Sequence, residues 1–265
     1  MPAATKTADF TRVAHLYDDT RNLPLDVLGE CYRRLGVAGI LSAGRTILDA
    51  GCGTGQLSLP LILAAHPVIG VDVSEAMLER ARAKVPAEAS AVFQVGDVRQ
   101  LDFADATFDL VLVSKLFQHV SEWQRGAREL LRVTRSGGHL VHVRDRGLFL
   151  NPVRAAFAAE CDRLGYRSRF AGLQKLDELH AFLVDQGAWP VAIEWPHLGW
   201  EKRITYGEAL EQLDGRAFAE FWDIPDEVHN AILANVRGWV ASQPNGAATV
   251  GMMRPWLAVE VYQVP

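Results

Sequence analysis

One nine-residue stretch, residues 47–55, constrains the fold of this chain more than any other segment. It reads Ile-Leu-Asp-Ala-Gly-Cys-Gly-Thr-Gly, a short apolar run with an acidic residue and then three glycines at alternate positions, and an amphipathic stretch follows over residues 56–65. This order predicts a strand, a tight turn and the start of a helix. Glycine permits the sharp bend, and a helix N-terminus presents free N–H groups. The pattern is typical of a site that holds a polar, nucleoside-sized ligand at the end of the first strand.

Composition limits the classes of protein that this chain can belong to. Its 265 residues, 49% hydrophobic and 22% charged, suit one elaborated domain with a sizeable core. A formal net charge of -5 argues against non-specific nucleic-acid binding. The three cysteines, Cys31, Cys52 and Cys161, form neither a zinc spacing nor a disulfide framework. Without a leader-like or membrane-spanning apolar run, we expect a cytoplasmic monomer or homodimer that binds no metal, membrane or nucleic acid.

Strand-like and helical segments alternate through the first 145 residues. Strands are predicted over 47–50, 68–71, 91–95, 108–114 and 139–144. A helix should run from Pro24 to about residue 35, a second should be capped by Ser74, and a third should run from a capping box at Ser121 and Gln124 to near residue 137. Such alternation predicts a doubly wound α/β fold, with a mostly parallel sheet covered on both faces.

The remaining residues are less regular and are predicted as additions to the same domain. Helices are expected over 151–164, 173–186, 205–221 and 225–241, and strands over 190–195 and 255–264. We interpret the chain as one domain over 1–265, with a helical N-terminal cap (1–40), a ligand-binding core (41–150) and a helical insertion (197–250). The insertion either covers the ligand edge of the sheet or adds helices for stability only.

Acidic and polar residues follow the ends of the predicted strands. They are Asp49, Asp72, Asp97, Ser114 and Asp145. In open α/β sheets, ligands bind outside the carboxyl ends of the strands. An acid after the second strand suits the two hydroxyls of a ribose, and an acid after the third can accept from an exocyclic amine such as that of adenine. Taken singly, each of these acids can also be a turn or helix cap.

Two classes of nucleotide ligand fit this pattern. A dinucleotide site would carry Gly-x-Gly-x-x-Gly, whereas this chain has Gly-x-Gly-x-Gly and a glutamine at position 56. A carboxylate at Asp49 would also lie unfavourably close to a pyrophosphate, but it attracts an ammonium group. An adenosine with a cationic amino-acid tail fits better, and S-adenosylmethionine has that description.

Five motifs in the expected order resemble those of the class I S-adenosylmethionine-dependent methyltransferases. They are Asp-Ala-Gly-Cys-Gly-Thr-Gly (49–55), Gly-Val-Asp-Val-Ser (70–74), Gly-Asp (96–97), Phe-Asp-Leu-Val (108–111) and Leu-Leu-Arg-Val-Thr-Arg-Ser-Gly-Gly-His-Leu (130–140). The resemblance covers about residues 10–145. It implies a Rossmann-like seven-stranded sheet in which the last strand, over 256–264, is antiparallel to the others.

The resemblance also implies residue roles toward S-adenosylmethionine. The glycines would line its methionine part, Asp49 would face its amino group, and Asp72 would hold the ribose. Asp97 would bind the adenine amine with Val98 beside the ring, and Ser114 would offer a carbonyl near the methionine tail. From a Tyr-x-x-x-Arg element, Tyr17 would close over the cofactor and Arg21 would reach its carboxylate. The full predicted cofactor set is Tyr17, Arg21, Asp49, Gly51, Gly53, Gly55, Asp72, Val73, Asp97, Val98 and Ser114.

The implied reaction is methyl transfer by in-line displacement to an O, N or C atom of a small organic acceptor. His119 is a candidate general base, or it shapes the pocket; Gln118 replaces the first histidine of a pair that is common in relatives. No Asn/Asp-Pro-Pro-Tyr/Phe follows strand four, which argues against methylation of DNA bases. Aromatic and Met residues of the insertion either wall an apolar pocket or are core: Trp200, Phe218, Phe221, Trp222, Met252 and Met253.

Two other functions stay open at this point. One is a protein that binds S-adenosylmethionine without transferring its methyl group, because a fold does not fix a function. The other is a nicotinamide-dependent oxidoreductase, since dinucleotide-binding folds also place glycines after the first strand and an acid about 20 residues on. Cys52 is interpreted as a packing residue of the turn rather than as a nucleophile.

Overall fold

The computed structural model describes residues 10–166 and 170–265, so the first nine residues of the predicted N-terminal cap lie outside the described part. The helices are α1 (Ala14–Arg21), α2 (Leu25–Val37), α3 (Ser58–Leu63), α4 (Glu75–Lys84), α5 (Trp123–Val133), α6 (Pro152–Arg163), α7 (Leu176–Asp185), α8 (Tyr206–Asp214) and α9 (Asp226–Ala241). Short 3-10 turns lie at Thr11–Val13, Phe117–His119, Ala219–Phe221 and Gly246–Ala248.

The strands are β1 (Ile47–Ala50), β2 (Val68–Asp72), β3 (Ala91–Val95), β4 (Phe108–Ser114), β5 (Thr134–Arg146), β6 (Trp189–Pro190), β7 (Lys202–Thr205), β8 (Val250–Met253) and β9 (Trp256–Gln263). Seven of them form one sheet in the order β3-β2-β1-β4-β5-β9-β6, while β7 and β8 form a separate pair. Strands β1 to β5 pair in parallel, and β9 runs antiparallel between β5 and β6. The predicted doubly wound sheet with an antiparallel last strand is therefore confirmed.

The order of strands fixes where a ligand can bind. The chain moves outward from β1 through β2 to β3 and then returns to β4 on the other side of β1. The gap between the crossovers therefore lies at the carboxyl ends of β1 and β4, where Ala50 pairs with Val113. Crevices at such a reversal of strand order are the usual ligand sites of open α/β sheets.

Apolar side chains cover both faces of the sheet. Helices α2, α3 and α4 pack on one face through residues such as Leu28, Leu61 and Leu78. Helices α5 and α7 pack on the other through residues such as Leu130 and Leu179. A third cluster joins α6 to the insertion helices α8 and α9. Because the central strands are buried on both faces, they form nearly continuous apolar runs, as predicted for β4.

The start and end of α5 differ from prediction. Glu122 precedes the helix with a left-handed φ of 58° and no capping side chain, so the capping box at Ser121 and Gln124 is wrong. The Ser121 hydroxyl instead accepts a hydrogen bond from Arg99, 3.2 Å away. The helix ends at Val133 because Thr134 already pairs with Phe108 of β4. Strand β5 therefore begins five residues before the predicted 139–144, and it also ends two residues later, at Arg146.

The insertion also differs from prediction in detail. Its helix α8 begins at Tyr206, capped by Thr205 through a capping box with Glu208, and it ends at Asp214, well before the predicted end at 221. Strands β7 and β8, which the sequence reading missed, pair the two ends of the insertion. The predicted strand over 190–195 is reduced to Trp189–Pro190. One further backbone hydrogen bond, from Val191 N to Val261 O at 2.8 Å, continues this pairing.

Candidate functional site

A cavity lies where the ends of β1 and β4 meet, and we call it the switch-point cavity. It encloses about 640 Å³ of empty space, part of it open to solvent. Nine predicted site residues line it: Tyr17, Gly51, Gly53, Asp72, Val73, Asp97, Val98, Ser114 and His119. Gly96 of the Gly-Asp motif also lines the cavity, and five residues that were not predicted complete the wall: Phe10, Met77, Lys115, Leu116 and Val120.

The three alternate glycines form the floor of the turn after β1. All three have left-handed backbones, with φ of 69° at Gly51, 53° at Gly53 and 75° at Gly55. A Cβ on Gly51 would lie 2.6 Å from Leu116 Cδ1, whereas one on Gly55 would meet Ala81 of α4 at 3.2 Å. Gly51 is therefore required by both backbone conformation and the cavity, while Gly55 serves the packing of α4.

Asp72 is held at the centre of this wall by two elements. Its Oδ2 accepts from Gly53 N at 2.9 Å, and its Oδ1 accepts from Ser74 N at 3.0 Å. The carboxylate therefore has one orientation, fixed by the glycine turn on one side and by the start of α4 on the other. Such fixing prepares an acceptor for hydroxyl donors without further ordering.

Asp97 has a strong partner within the protein. Its Oδ1 accepts a hydrogen bond from Arg99 N at 2.9 Å, and its Oδ2 accepts one from the Arg99 guanidinium at 2.6 Å. These hydrogen bonds, more than any other cause, hold the pKa of the Asp97 carboxyl below its usual range. Asp97 is thus an ionised acceptor on the cavity wall, and any added donor would share it with Arg99.

Three predicted cofactor residues lie outside the wall of this cavity. Asp49 is 1% exposed beneath the turn, where its Oδ2 accepts from Ser58 Oγ at 2.6 Å. Burial, and to a lesser degree the charge of Asp72, raises the pKa of Asp49 to about 7. Gly55 packs on α4, as described above, and Arg21 lies on a second cavity.

Helix α1 is tied onto the glycine turn by Asp18, a residue that the sequence reading passed over. Its Oδ1 accepts from Thr54 Oγ1 at 2.6 Å and from Gln56 Nε2 at 2.9 Å. Its Oδ2 pairs with Lys84 Nζ of α4 at 2.6 Å. Burial favours the neutral acid, but these partners outweigh it and lower the Asp18 pKa. The contacts seat Tyr17, the preceding residue, against the cavity.

His119 stands on a short 3-10 turn after β4. Its ring makes edge contacts with Phe10, at 4.8 Å between centroids, and with Phe170, at 5.3 Å. Burial, with smaller contributions from the cations Arg21 and Lys115, lowers the pKa of His119 to about 3. The imidazole is therefore neutral near pH 7 and has a free lone pair to offer.

The second cavity adjoins the first and shares Lys115 and His119 with it; we call it the basic cavity. It encloses about 1120 Å³ of empty space, part of it open to solvent. Its wall carries more cations than carboxylates. The six cations are Arg21, Lys115, Arg144, Arg146, Arg154 and Lys175, and the two carboxylates are Asp145 and Glu220. Phe149, Phe170 and Phe218 supply much of its apolar surface.

Most of the aromatic and Met residues predicted in the insertion are core or surface. Phe221 and Met253 belong to the cluster between α6 and the insertion, and Met252 is exposed. Trp222 contacts Phe10, with 5.1 Å between ring centroids. Phe218 alone of the set lies on the wall of the basic cavity. An apolar pocket built by the insertion is therefore replaced by a cationic one.

The sequence did contain a signal for the basic cavity. Along β5, His142, Arg144 and Arg146 alternate with the buried residues Val141 and Val143. Side chains two apart in a strand share a face, so three basic residues at this spacing form one row. A charged row within a central strand indicates a polar cavity over that face.

Comparison with known proteins agrees with the geometry. The family model described as "Methyltransferase domain" matches residues 48–142. The chain is 40% identical over 151 residues to a phosphatidylethanolamine N-methyltransferase of Cereibacter sphaeroides, with 54% of this chain and 73% of the relative covered. It spans 56–62% of the length of the next three relatives, two demethylmenaquinone methyltransferases and a malonyl-[acyl-carrier protein] O-methyltransferase.

Solved structures share the fold. The YcgJ protein of Bacillus subtilis superposes with a TM-score of 0.58 at 20% identity, covering 91% of this chain and 99% of that one. Magnesium protoporphyrin IX methyltransferase from Synechocystis PCC 6803, solved with bound SAH, has a TM-score of 0.52 at 24% identity and covers 69% and 85%. Over residues 10–166 and 170–265, no helix is both long and apolar enough to cross a membrane. By its motifs, its sheet and its relatives, the chain belongs to the class I S-adenosylmethionine-dependent methyltransferases.

Proposed function

We propose that this chain transfers the methyl group of S-adenosylmethionine to an O, N or C atom of a small organic acceptor that binds in the basic cavity. The observation that carries the proposal is that the two cavities meet at Lys115 and His119. A donor in one cavity and an acceptor in the other would face each other across that junction. The names of the relatives specify phosphatidylethanolamine, demethylmenaquinone and malonyl-[acyl-carrier protein], so they do not agree on one acceptor.

The wall of the switch-point cavity fits the cofactor. The Ser114 hydroxyl is buried there without a hydrogen-bond partner among the described residues, so it is free for a polar ligand. Gly51 lets the backbone of the turn lie on the cavity wall beside Leu116, where a Cβ would be 2.6 Å from Leu116 Cδ1. Asp72 offers an oriented carboxylate for the ribose, and Asp97 offers one for the adenine amine, shared with Arg99.

The roles of the remaining predicted residues follow from their positions. Tyr17, Val73 and Val98 would cover the cofactor, and Gly53 would let its tail approach the backbone. Asp49 would act from beneath the turn, on an ammonium group and through an intervening donor, because it is buried and bonded to Ser58. Arg21 faces the other cavity, and we assign it to the acceptor.

The protein's part in the reaction is chiefly positional. The cofactor, when bound, supplies an electrophilic methyl group on a sulfonium. Phe10 and Phe170 contact the His119 ring and Phe10 contacts Tyr17, so these rings would shield the junction from water. Holding reactants in line contributes ~7–11 kcal/mol to lowering a barrier of this kind. His119 is our candidate to accept a proton from acceptors that must lose one.

Two measurements test the proposed function. Calorimetry should detect S-adenosylmethionine and S-adenosylhomocysteine binding and no NAD binding. Incubation with S-adenosylmethionine and a panel of small acceptors should release S-adenosylhomocysteine. Binding without release from any acceptor would favour a non-methylating binding protein, and binding of NAD alone would favour an oxidoreductase.

Asp72→Ala should weaken the binding of S-adenosylhomocysteine at least tenfold, or about 1.4 kcal/mol. The change removes the proposed ribose acceptor and also the anchor of Gly53 and Ser74. Calorimetry measures the affinity, and urea unfolding separates loss of binding from loss of structure. Unchanged affinity would rule out the ribose assignment.

Asp18→Ala should detach α1 from the glycine turn. The change removes two hydrogen bonds and an ion pair that are largely protected from solvent. We expect the free energy of unfolding to fall by ~1–3 kcal/mol and S-adenosylhomocysteine affinity to fall about tenfold, because Tyr17 loses its seat. Asp19→Ala, at the exposed neighbour, is the matched control and should do neither. Equal effects of the two changes would contradict the docking role.

The finer partner assignments also belong to this proposal. A net charge of -5 favours a small acceptor over nucleic acid. We place the activity in the cytoplasm and expect a monomer or homodimer, which light scattering will distinguish.

A further inference from the structure

We propose that the acceptor carries an oxyanion, a carboxylate or a phosphate, that binds in the basic cavity against Arg21. This inference rests on the proposed function, because it assumes that the acceptor occupies that cavity. It goes further by naming the chemical group that the acceptor must present.

Charge is the first reason. The wall of the basic cavity carries three times as many cations as carboxylates, in a chain whose formal net charge is -5. A cavity lined mainly by one sign of charge raises the local concentration of ligands of the other sign. A cationic acceptor would be repelled from such a site, and a neutral one would leave Arg21 without a directly bound counter-charge.

Arg21 is the second and strongest reason. It is 6% exposed, and its guanidinium donates to two neutral oxygens, Thr20 Oγ1 at 2.8 Å and Ala217 O at 2.5 Å. Within the described part of the chain, no carboxylate forms an ion pair with it. A buried charge is costly unless it is paired. Glu220 and Asp145 stabilise this cation only from a distance, so the guanidinium lacks a directly bonded anion.

Aromatic rings surround Arg21 without neutralising it. Its guanidinium carbon lies 5.1 Å from the centroid of Tyr17 and 5.6 Å from those of Phe149 and Phe218. Such rings stabilise a cation and fix the plane of the guanidinium. They leave N–H donors beyond the two already used, in a planar arrangement that matches an oxyanion.

Three of the other five cations of the wall are paired, but two of these three keep an unused donor. Lys115 Nζ lies 2.9 Å from Asp145 Oδ2, and Arg154 pairs with Glu220. Arg144 pairs with Glu260 at 2.9 Å. The Nε atoms of Arg144 and Arg154 are nonetheless buried without a hydrogen-bond partner among the described residues. The ion pairs fix the positions of these cations, and the two Nε–H groups remain as hydrogen-bond donors for a ligand.

The experiment measures binding to protein saturated with S-adenosylhomocysteine, using benzoate, phenyl phosphate and the neutral isostere benzamide as probes. Isothermal titration calorimetry at low ionic strength should give at least a tenfold tighter affinity for benzoate or phenyl phosphate than for benzamide. The tighter of the two anions identifies a carboxylate or a phosphate as the preferred group.

Three variants locate the effect. Arg21→Met should reduce the preference for the anion at least tenfold, and Arg237→Met, which removes an exposed guanidinium on α9, should leave it unchanged. Glu220→Gln removes one of the two wall carboxylates without changing its shape and should strengthen anion binding at least threefold. This last variant keeps the test valid if Arg21→Met does not fold.

Equal affinity of wild-type protein for benzoate, phenyl phosphate and benzamide would overturn the inference. So would an anion preference that Arg21→Met and Glu220→Gln leave unchanged, or that Arg237→Met also removes. A tenfold loss of S-adenosylhomocysteine affinity in Arg21→Met, with the anion preference intact, would return Arg21 to the cofactor. Failure of wild-type protein to bind S-adenosylhomocysteine would count against the proposed function instead.

Discussion

Replacing Gly51 with alanine should weaken S-adenosylhomocysteine binding at least 100-fold, or about 2.8 kcal/mol. The added Cβ would lie 2.6 Å from Leu116 Cδ1, and both residues line the switch-point cavity. The contact can be relieved only if Leu116 moves or the turn shifts. Either response changes the wall that faces the cofactor. Calorimetry against S-adenosylhomocysteine measures the loss.

Gly39→Ala is the matched control, because it has the same backbone cost without the contact. Gly39 has φ of 74°, close to the 69° of Gly51, and a Cβ there would meet nothing within 4 Å. A left-handed alanine costs roughly 1–2 kcal/mol, so both variants should lose that much stability in urea unfolding. Only the Gly51 variant should lose cofactor affinity. Loss of affinity in both, or in neither, would contradict the steric argument.

Much of the wall of the switch-point cavity was predictable because it depends on local backbone chemistry. Three glycines at alternate positions favour a turn with left-handed backbone conformations. An acid at the end of β2 lies beside that turn because β1 and β2 are parallel neighbours and their carboxyl ends meet at the same edge of the sheet. Asp72 indeed accepts a hydrogen bond from Gly53 of that turn. The pattern of the apolar residues likewise predicted strands β1 to β5 and β9.

Contacts between distant segments were not predictable from the same patterns. Asp18 and Lys84 are 66 positions apart, and their ion pair forms only because α1 packs against α4. The orientation of Arg21 depends on Ala217, 196 positions away in the insertion. Contacts between residues so far apart produce no local sequence pattern. Arg21 was therefore assigned to the cofactor by family resemblance alone.

Competition for one side chain explains another difference. Ser121 and Gln124 have the spacing of a capping box, but Arg99 takes the Ser121 hydroxyl while it holds Asp97. An ion pair at the edge of the site has thereby displaced a local helix signal. A local helix-capping pattern predicts a helix start poorly where tertiary hydrogen bonds use the same side chain.

The same network of charge bears on His119, whose neutral imidazole stands between the two cavities. Arg21 and Lys115 add to burial in lowering its pKa to about 3. An acceptor oxyanion near those cations would offset their effect and raise the pKa of His119 toward a useful value for a base. Binding of the acceptor would then itself prepare the group that receives its proton.

His119→Asn should lower kcat on the order of 100-fold with any acceptor that must lose a proton, while S-adenosylhomocysteine affinity stays within threefold. Asparagine keeps a polar side chain of similar reach but cannot act as the base. His197→Asn, at an exposed histidine of neither cavity wall, is the control and should leave kcat unchanged.

The pH dependence gives an independent check on His119. Because its folded pKa is lowered from 6.5 to about 3, the imidazole of the acceptor-free protein should stay neutral from pH 8 down to pH 5. NMR titration of the His119 ring should therefore show no protonation near pH 6.5 in free protein, and a raised pKa once benzoate or phenyl phosphate is added. An ordinary titration at pH 6.5 in free protein, or a kcat unchanged by His119→Asn, would remove His119 from the role of base and leave it as a residue that only lines the two cavities.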